Sequence, residues 1–309
     1  MKPNSALRWL IPLIAVLAFI MAGVGLFAQG GGGPFSFTTV YGDTVEIYGQ
    51  GTYRHDSSFV AALFKGTDAV TLFAGIPLLL VSYLTYRRGS LRGSIFLIGV
   101  LLYFLYIGIT YTFSAIFNPL FLVYTALFSA GLYAAILALT TIDVQSLAGK
   151  ATSNMPHRGI AVFMFVAGLG TLSIWLSELI GPLMTGQAPA NLGPYTTMFT
   201  HGFDSAVITP ATVVTGILLL KRKPLGYLLA APLLILCTLI GVVVVAQTVS
   251  QAMAGITFPI GVYIGMIGSW VVMGAFAIGL AIQFFRSISE NPQTFILSDL
   301  GERSISPHA

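Results

Sequence analysis

Long apolar runs and short polar or basic connections alternate along the whole chain, and the apolar runs are close to one length. They cover 9–28, 66–86, 94–115, 119–140, 159–184, 202–220, 227–249 and 259–285. Each is near the roughly 20 residues that a helix needs to cross a bilayer core. Within lipid a segment must satisfy its own backbone N–H and C=O groups, which favours helix over open strand. The pattern therefore predicts an all-α membrane protein, an eight-transmembrane-helix bundle. Lys2 and Arg8 before the first run also suit a signal peptide. That run is longer than the roughly 7–15 apolar residues of a signal core, and Leu26 and Ala28 make a poor cleavage site, so a retained helix is expected.

The connection over 29–65 is by far the longest. It opens with Gly30, Gly31, Gly32, Gly33 and Pro34, which reads as a flexible start. FTTVY (37–41) and TVEIY (44–48) then flank Gly42-Asp43 with alternating, strand-prone residues. This predicts a small β-hairpin. The segment GQGTYRHDSS (49–58) is polar, and loops of such length often serve as lids or binding loops. The connection over 185–200 is shorter and carries Pro189 and Pro194. The tail over 287–309 is polar, contains Pro292 and Pro307, and is expected to be loosely ordered.

A weak repeat runs through the pattern. GTDAVTLFAGIPLLL (66–80) and GFDSAVITPATVVTGILLL (202–220) each carry an aspartate early, Asp68 and Asp204, and end at a basic turn. The following runs start near Gly93 and Gly226. Two parallel four-helix repeats would give a first half over 1–140, including the loop 29–65, and a second over 141–286, as in some transporters. The competing account is that any helix entering from the less basic side starts polar and ends basic. Gly261, Gly265 and Ser269 form a small-residue ridge on the eighth run, suited to close helix contact.

Composition agrees with the pattern. The chain is 56% hydrophobic and 8% charged, against about 25% charged in soluble domains. Its 14 Lys and Arg residues all fall on one set of connections, except Arg54 and Lys65. Positive charge marks cytoplasmic loops, so both termini are expected to be cytoplasmic. The net charge of +4 is then an orientation label and no sign of nucleic-acid binding. The single cysteine, Cys237, can form neither an intrachain disulfide nor a multi-cysteine metal site.

No run carries a charge near its centre. Asp68 lies about 28 Å of helix from Arg87, Asp204 about 25 Å from Lys221, and Glu178 about 30 Å from Arg158. All three acids are thus expected at the outer edge of the hydrocarbon. There Asp68 and Asp204 could cap helix N-termini. Glu178, at a C-terminal end, needs a partner among Arg54, Lys65 and the histidines. His55, Asp56, Asp68, His201 and Asp204 are metal-ligand types on the same side, but HExxH, GxSxG and GxxxxGKS motifs are absent. No cofactor is expected. Tyr103, Tyr106, Thr110 and Ser114 recur at helical spacing on the third run. Phe117, Phe121, Tyr124 and Phe128 do so at the fourth, after the Asn118-Pro119 connection. Buried tyrosines need hydrogen-bond partners. This face predicts an outward-opening pocket between the second, third and fourth runs, capped by the long loop. Aromatic packing with an interfacial belt is the alternative.

YGQGTYRHDSS (48–58), GIPLLL (75–80), RRGSLRG (87–93) and FNPLFLVYTALFS (117–129) resemble an uncharacterised family of bacterial multi-pass membrane proteins. The resemblance covers the second to fourth runs and implies a prokaryotic plasma membrane and a binding use of the first half, with no activity attached. The expected function is binding, with or without translocation, of a small-molecule or lipid-like ligand by Arg54, His55, Asp56, Asp68, Tyr103, Tyr106, Asn118, Tyr124, Glu178, His201 and Asp204. An enzyme acting on a lipid headgroup at the outer leaflet is a second expectation. An assembly subunit, packed as a homo-oligomer or against another membrane protein, is a third. Membrane lipids are expected partners in every case.

Overall fold

The computed structural model describes residues 4–289, so most of the tail expected to be loosely ordered lies outside the described residues. Among them are eight helices long and apolar enough to cross a membrane: α1 (Leu7–Phe27), α2 (Ser58–Arg87), α3 (Leu91–Ser114), α4 (Phe121–Thr140), α5 (His157–Thr185), α6 (Phe199–Leu220), α7 (Pro224–Met253) and α8 (Ile260–Arg286). The chain is a multi-pass helical membrane protein. Its one sheet among the described residues is the expected hairpin, β1 (Phe35–Thr38) antiparallel to β2 (Thr44–Ile47), with Phe35 opposite Ile47 and Thr38 opposite Thr44.

Consecutive helices run antiparallel, which gives the bundle a hairpin end and a basic end. Both described ends of the chain are at the basic end. The backbone N–H of Asn4 donates to Tyr86 Oη at 2.6 Å. The Arg92 guanidinium donates to the carbonyl of Ile288 at 2.7 and 3.2 Å. Beside it, Thr152 N–H donates to Ser287 O and Ser289 N–H to Lys150 O. The helices α3 and α7 form the centre, with 72% and 61% of their apolar windows buried, while α8 is peripheral at 12%.

Two local features differ from the sequence pattern. The helix α2 starts at Ser58, because Ser57 Oγ accepts from Val60 N–H and caps it. The segment SFVAALFKGTD (58–68) is therefore helical, and Asp68 sits ten residues inside the helix. The glycine run is also no free linker. Gly51 N–H donates to Gly30 O and Gly33 N–H to Gly49 O. Gly31 and Gly49, both at positive φ, cross so closely that a Cβ on either would overlap backbone. Only glycine tolerates that geometry.

The helices α2 and α6 each contain one π-helical segment, Thr71–Gly75 and Asp204–Ile208. Each closes two residues before a proline, Pro77 and Pro210. Proline lacks an N–H and its ring collides with the carbonyl four residues back. The widened turn relieves that collision, with Ile76 N–H donating to Thr71 O and Thr209 N–H to Asp204 O. Other landmarks recur at the same residue spacing. Gly89 and Arg222 both take positive φ in three-residue basic turns. Gly93 and Gly226 face the preceding helix at Thr85 and Leu218. Gly108 approaches Phe128 of α4, and Gly241 approaches Gly274 of α8. The close α7–α8 contact thus uses Gly241 and Gly274. A Cβ on Gly261 or Gly265 of the expected ridge would meet nothing within 4 Å outside its own helix turn.

In this register Asp68 corresponds to His201, and Thr71 to Asp204. By that spacing the two aspartates are one helical turn out of step.

Candidate functional site

Two buried carboxylates organise the hairpin half of the bundle. Asp68 is fully buried. Its Oδ2 accepts from Tyr53 Oη at 2.6 Å and its Oδ1 from Tyr111 Oη at 2.9 Å. Tyr53 comes from the long loop and Tyr111 from α3. Gly25 of α1 closes the third side, since a Cβ there would overlap the carboxylate and Tyr53 Oη. Phe64 packs on both tyrosine rings, at 5.2 and 4.5 Å. This environment is filled. Burial and the Asp68 charge push the Tyr53 hydroxyl well above the usual tyrosine range, which keeps it a neutral donor.

Asp204 is set differently. It is 4% exposed, and its oxygens accept from Tyr106 Oη and Trp175 Nε1, each at 3.2 Å. It lines a cavity of about 40 Å³ with Tyr106, Thr171, Thr212, Cys237, Trp270 and Met273. That is room for a few waters or one small group. One turn toward the hairpin end, His201 Nε2 and Glu178 Oε2 pair at 3.1 Å. The His201 ring lies on Trp175, centroids 4.0 Å apart. Trp175 therefore links an upper His201–Glu178 pair to a lower Asp204–Tyr106 pair. Among the described residues His201–Glu178 is the one ion pair, so neither Asp68 nor Asp204 forms one.

These geometries revise three expectations. Neither Asp68 nor Asp204 caps a helix N-terminus, because both helices begin earlier. The cavity lies among α3, α5, α6, α7 and α8, whereas the face between α2, α3 and α4 is closed by side chains. There Tyr103 Oη bonds Thr71 Oγ1 at 2.8 Å, and Tyr124 packs on Tyr111 at 5.3 Å. The cavity is in the second half because α1 packs along α4, while α5 makes little contact with α8. Trp175 and Trp270, 6.3 Å apart, fill part of that gap.

The remaining candidates are dispersed. Arg54 and His55 are exposed and bond one another at 3.2 Å. Asn118 is spent on its own turn, accepting from Leu120 N–H at 2.9 Å. Tyr124 Oη is buried without a partner. Asp56 is 1% exposed and clamps three connections. Its Oδ1 accepts from Ile116 N–H at 3.0 Å and from Tyr195 Oη at 3.1 Å, and Oδ2 has no partner. Burial pushes the Asp56 carboxyl up to about 7, against the lowering effect of its two hydrogen bonds. Tyr195, Tyr53, Tyr111, Trp175 and Trp270 escaped the sequence reading. For Tyr111 and Trp175 a signal existed. Each lies on a helix already carrying a candidate residue and brings a polar atom that burial obliges to find a partner.

The His, Asp and Glu candidates do not gather into a metal centre. No group of three His, Cys, Asp or Glu side chains converges among the described residues. Comparisons with family models, with curated proteins and with solved structures return no match to this chain.

Proposed function

We propose that this membrane protein binds a small organic cation of the ammonium class at Asp204, reached from the hairpin end past His201 and Glu178. One observation carries the proposal: a buried carboxylate that forms no ion pair faces a small, mostly apolar cavity with Tyr106 and Trp270 in its wall. An uncompensated buried charge costs several kcal/mol, and a bound cation removes that cost. Tyr106 and Trp270 on the same cavity suit a cation, since ring faces attract positive charge. Ionisable groups held inside membrane bundles commonly mark substrate or ion paths. We also propose that the basic end is cytoplasmic in a bacterial plasma membrane, supported by the concentration of Lys and Arg there. The recurring π segments, turns and glycine contacts support two related four-helix units, in which the first is sealed at Asp68 and the second keeps an open site.

The test is calorimetric titration of the purified protein with methylammonium chloride. Saturable binding is expected, abolished in Asp204→Asn and weakened about ten-fold in Trp270→Leu. Unchanged binding in Asp204→Asn, or none in the wild type, overturns the proposal.

A further inference from the structure

A second cavity, of about 480 Å³, lies at the opposite end of the bundle, between α2, α3, α7 and α8. Its walls are mostly apolar, with Leu78, Phe96, Ile282 and Phe285 among them. Thr85 and Thr238 also line it, but their hydroxyls donate to carbonyls of their own helices, so they present no unmet polar group. Leu78 is nine residues from Arg87 and Ile278 is eight from Arg286. The groove therefore runs about 12–14 Å inward from the basic end, close to the half-thickness of a bilayer core of about 30 Å.

The mouth of the groove has the opposite character. Arg92 lines it. Arg87 and Arg88 on the adjoining turn and Arg286 at the end of α8 are exposed. The acid at this end among the described residues is Asp143, which is committed to capping Gln145 N–H at 3.1 Å. An apolar slot that opens at a cluster of arginines is complementary to a molecule with a long apolar chain and an anionic head. Basic pockets between membrane helices bind anionic headgroups on these terms.

We propose that this groove holds an acyl chain of an anionic phospholipid, with its phosphate among Arg87, Arg88 and Arg286. The site is separate from the Asp204 cavity and stands whether or not that cavity binds a cation.

The experiment is native mass spectrometry of the full chain in mild detergent, incubated with phosphatidylglycerol or with phosphatidylcholine. One phosphatidylglycerol per chain should survive activation that strips phosphatidylcholine. Ile282→Trp and, independently, Thr238→Phe fill the groove from α8 and from α7, and either should abolish that adduct. A folded Arg88→Gln/Arg286→Gln double variant should lower the preference for the anionic lipid about ten-fold. Equal retention of both lipids overturns the anionic assignment. Retention that persists in both groove-filling variants overturns the site.

Discussion

Two aspartates that look alike in sequence sit in opposite circumstances. Asp68 is a structural centre, because three elements meet on it and the tyrosine donors are buried with it. Asp68→Ala leaves Tyr53 Oη without an acceptor, deprives Tyr111 Oη of one of its two, and opens a void. A cost of roughly 3–5 kcal/mol is expected, read as a marked fall in thermal midpoint in detergent. Asp204→Asn keeps an acceptor oxygen beside Tyr106 and Trp175, so its midpoint should stay close to wild type. The reverse ranking would mean that Asp204, and not Asp68, holds the fold. Asp56 makes a pH prediction. Its folded carboxyl titrates at about 7, above the usual 3.8. The folded state therefore holds its proton where the unfolded chain has lost it. The stability contributed is fully present below about pH 4, falls as pH rises toward 7, and is lost above that. Thermal midpoints of wild type and Asp56→Asn, taken from pH 4 to 8, should diverge over this window, with the wild type showing the steeper decline. Parallel curves would remove Asp56 as the cause.

At the scale of elements, landmarks that recur at one residue spacing give paired positions that act as internal controls. Gly89 and Arg222 occupy matching places in the α2–α3 and α6–α7 turns, at φ 76° and 51°. A side chain costs roughly 1–2 kcal/mol in that conformation. Arg222→Gly should therefore stabilise by up to about 1 kcal/mol, and Gly89→Ala should destabilise by about the same, both seen as opposite shifts of thermal midpoint. Equal and same-signed shifts would break the correspondence. The element scale also shows what the sequence could and could not reveal. Apolar run length located all eight helices, because lipid imposes one length on each. The hairpin followed from alternation about Gly42-Asp43. The start of α2 is hard to read because Lys65, Gly66, Thr67 and Asp68 interrupt its apolar pattern and set SFVAALF (58–64) apart from the run that follows. Sequence likeness pairs the two acids directly, whereas the π segments ahead of Pro77 and Pro210, invisible to hydropathy, pair Asp204 with Thr71. Hydropathy ranks helix faces, and cannot tell which face is plugged by a loop residue such as Tyr53.

Across the whole molecule the charges sort by end. The hairpin end holds Asp43, Glu46, Asp56 and the His201–Glu178 pair. The basic end holds the arginine turns and both described chain ends. The long loop is fastened over the hairpin end at several points: Tyr53 to Asp68, Ser58 Oγ to Glu46 at 2.6 Å, Thr52 Oγ1 to Val24 O at 3.1 Å, and Tyr195 to Asp56. It therefore covers the first half and leaves the approach to Asp204 to the 185–200 connection and His201. Orientation in the membrane decides which compartment that approach faces. With Cys237 replaced by Ser, the chain has no other cysteine, and single probes can be placed at each end. Val40 in the hairpin turn is 95% exposed, and Arg88 is exposed on the basic turn. If the basic end is cytoplasmic, a membrane-impermeant maleimide added to intact cells should label Val40→Cys and spare Arg88→Cys, which should react only after permeabilisation. The opposite result would invert the protein and turn the Asp204 approach toward the cytoplasm. Labelling of both in intact cells would contradict helices that separate the two ends across a bilayer.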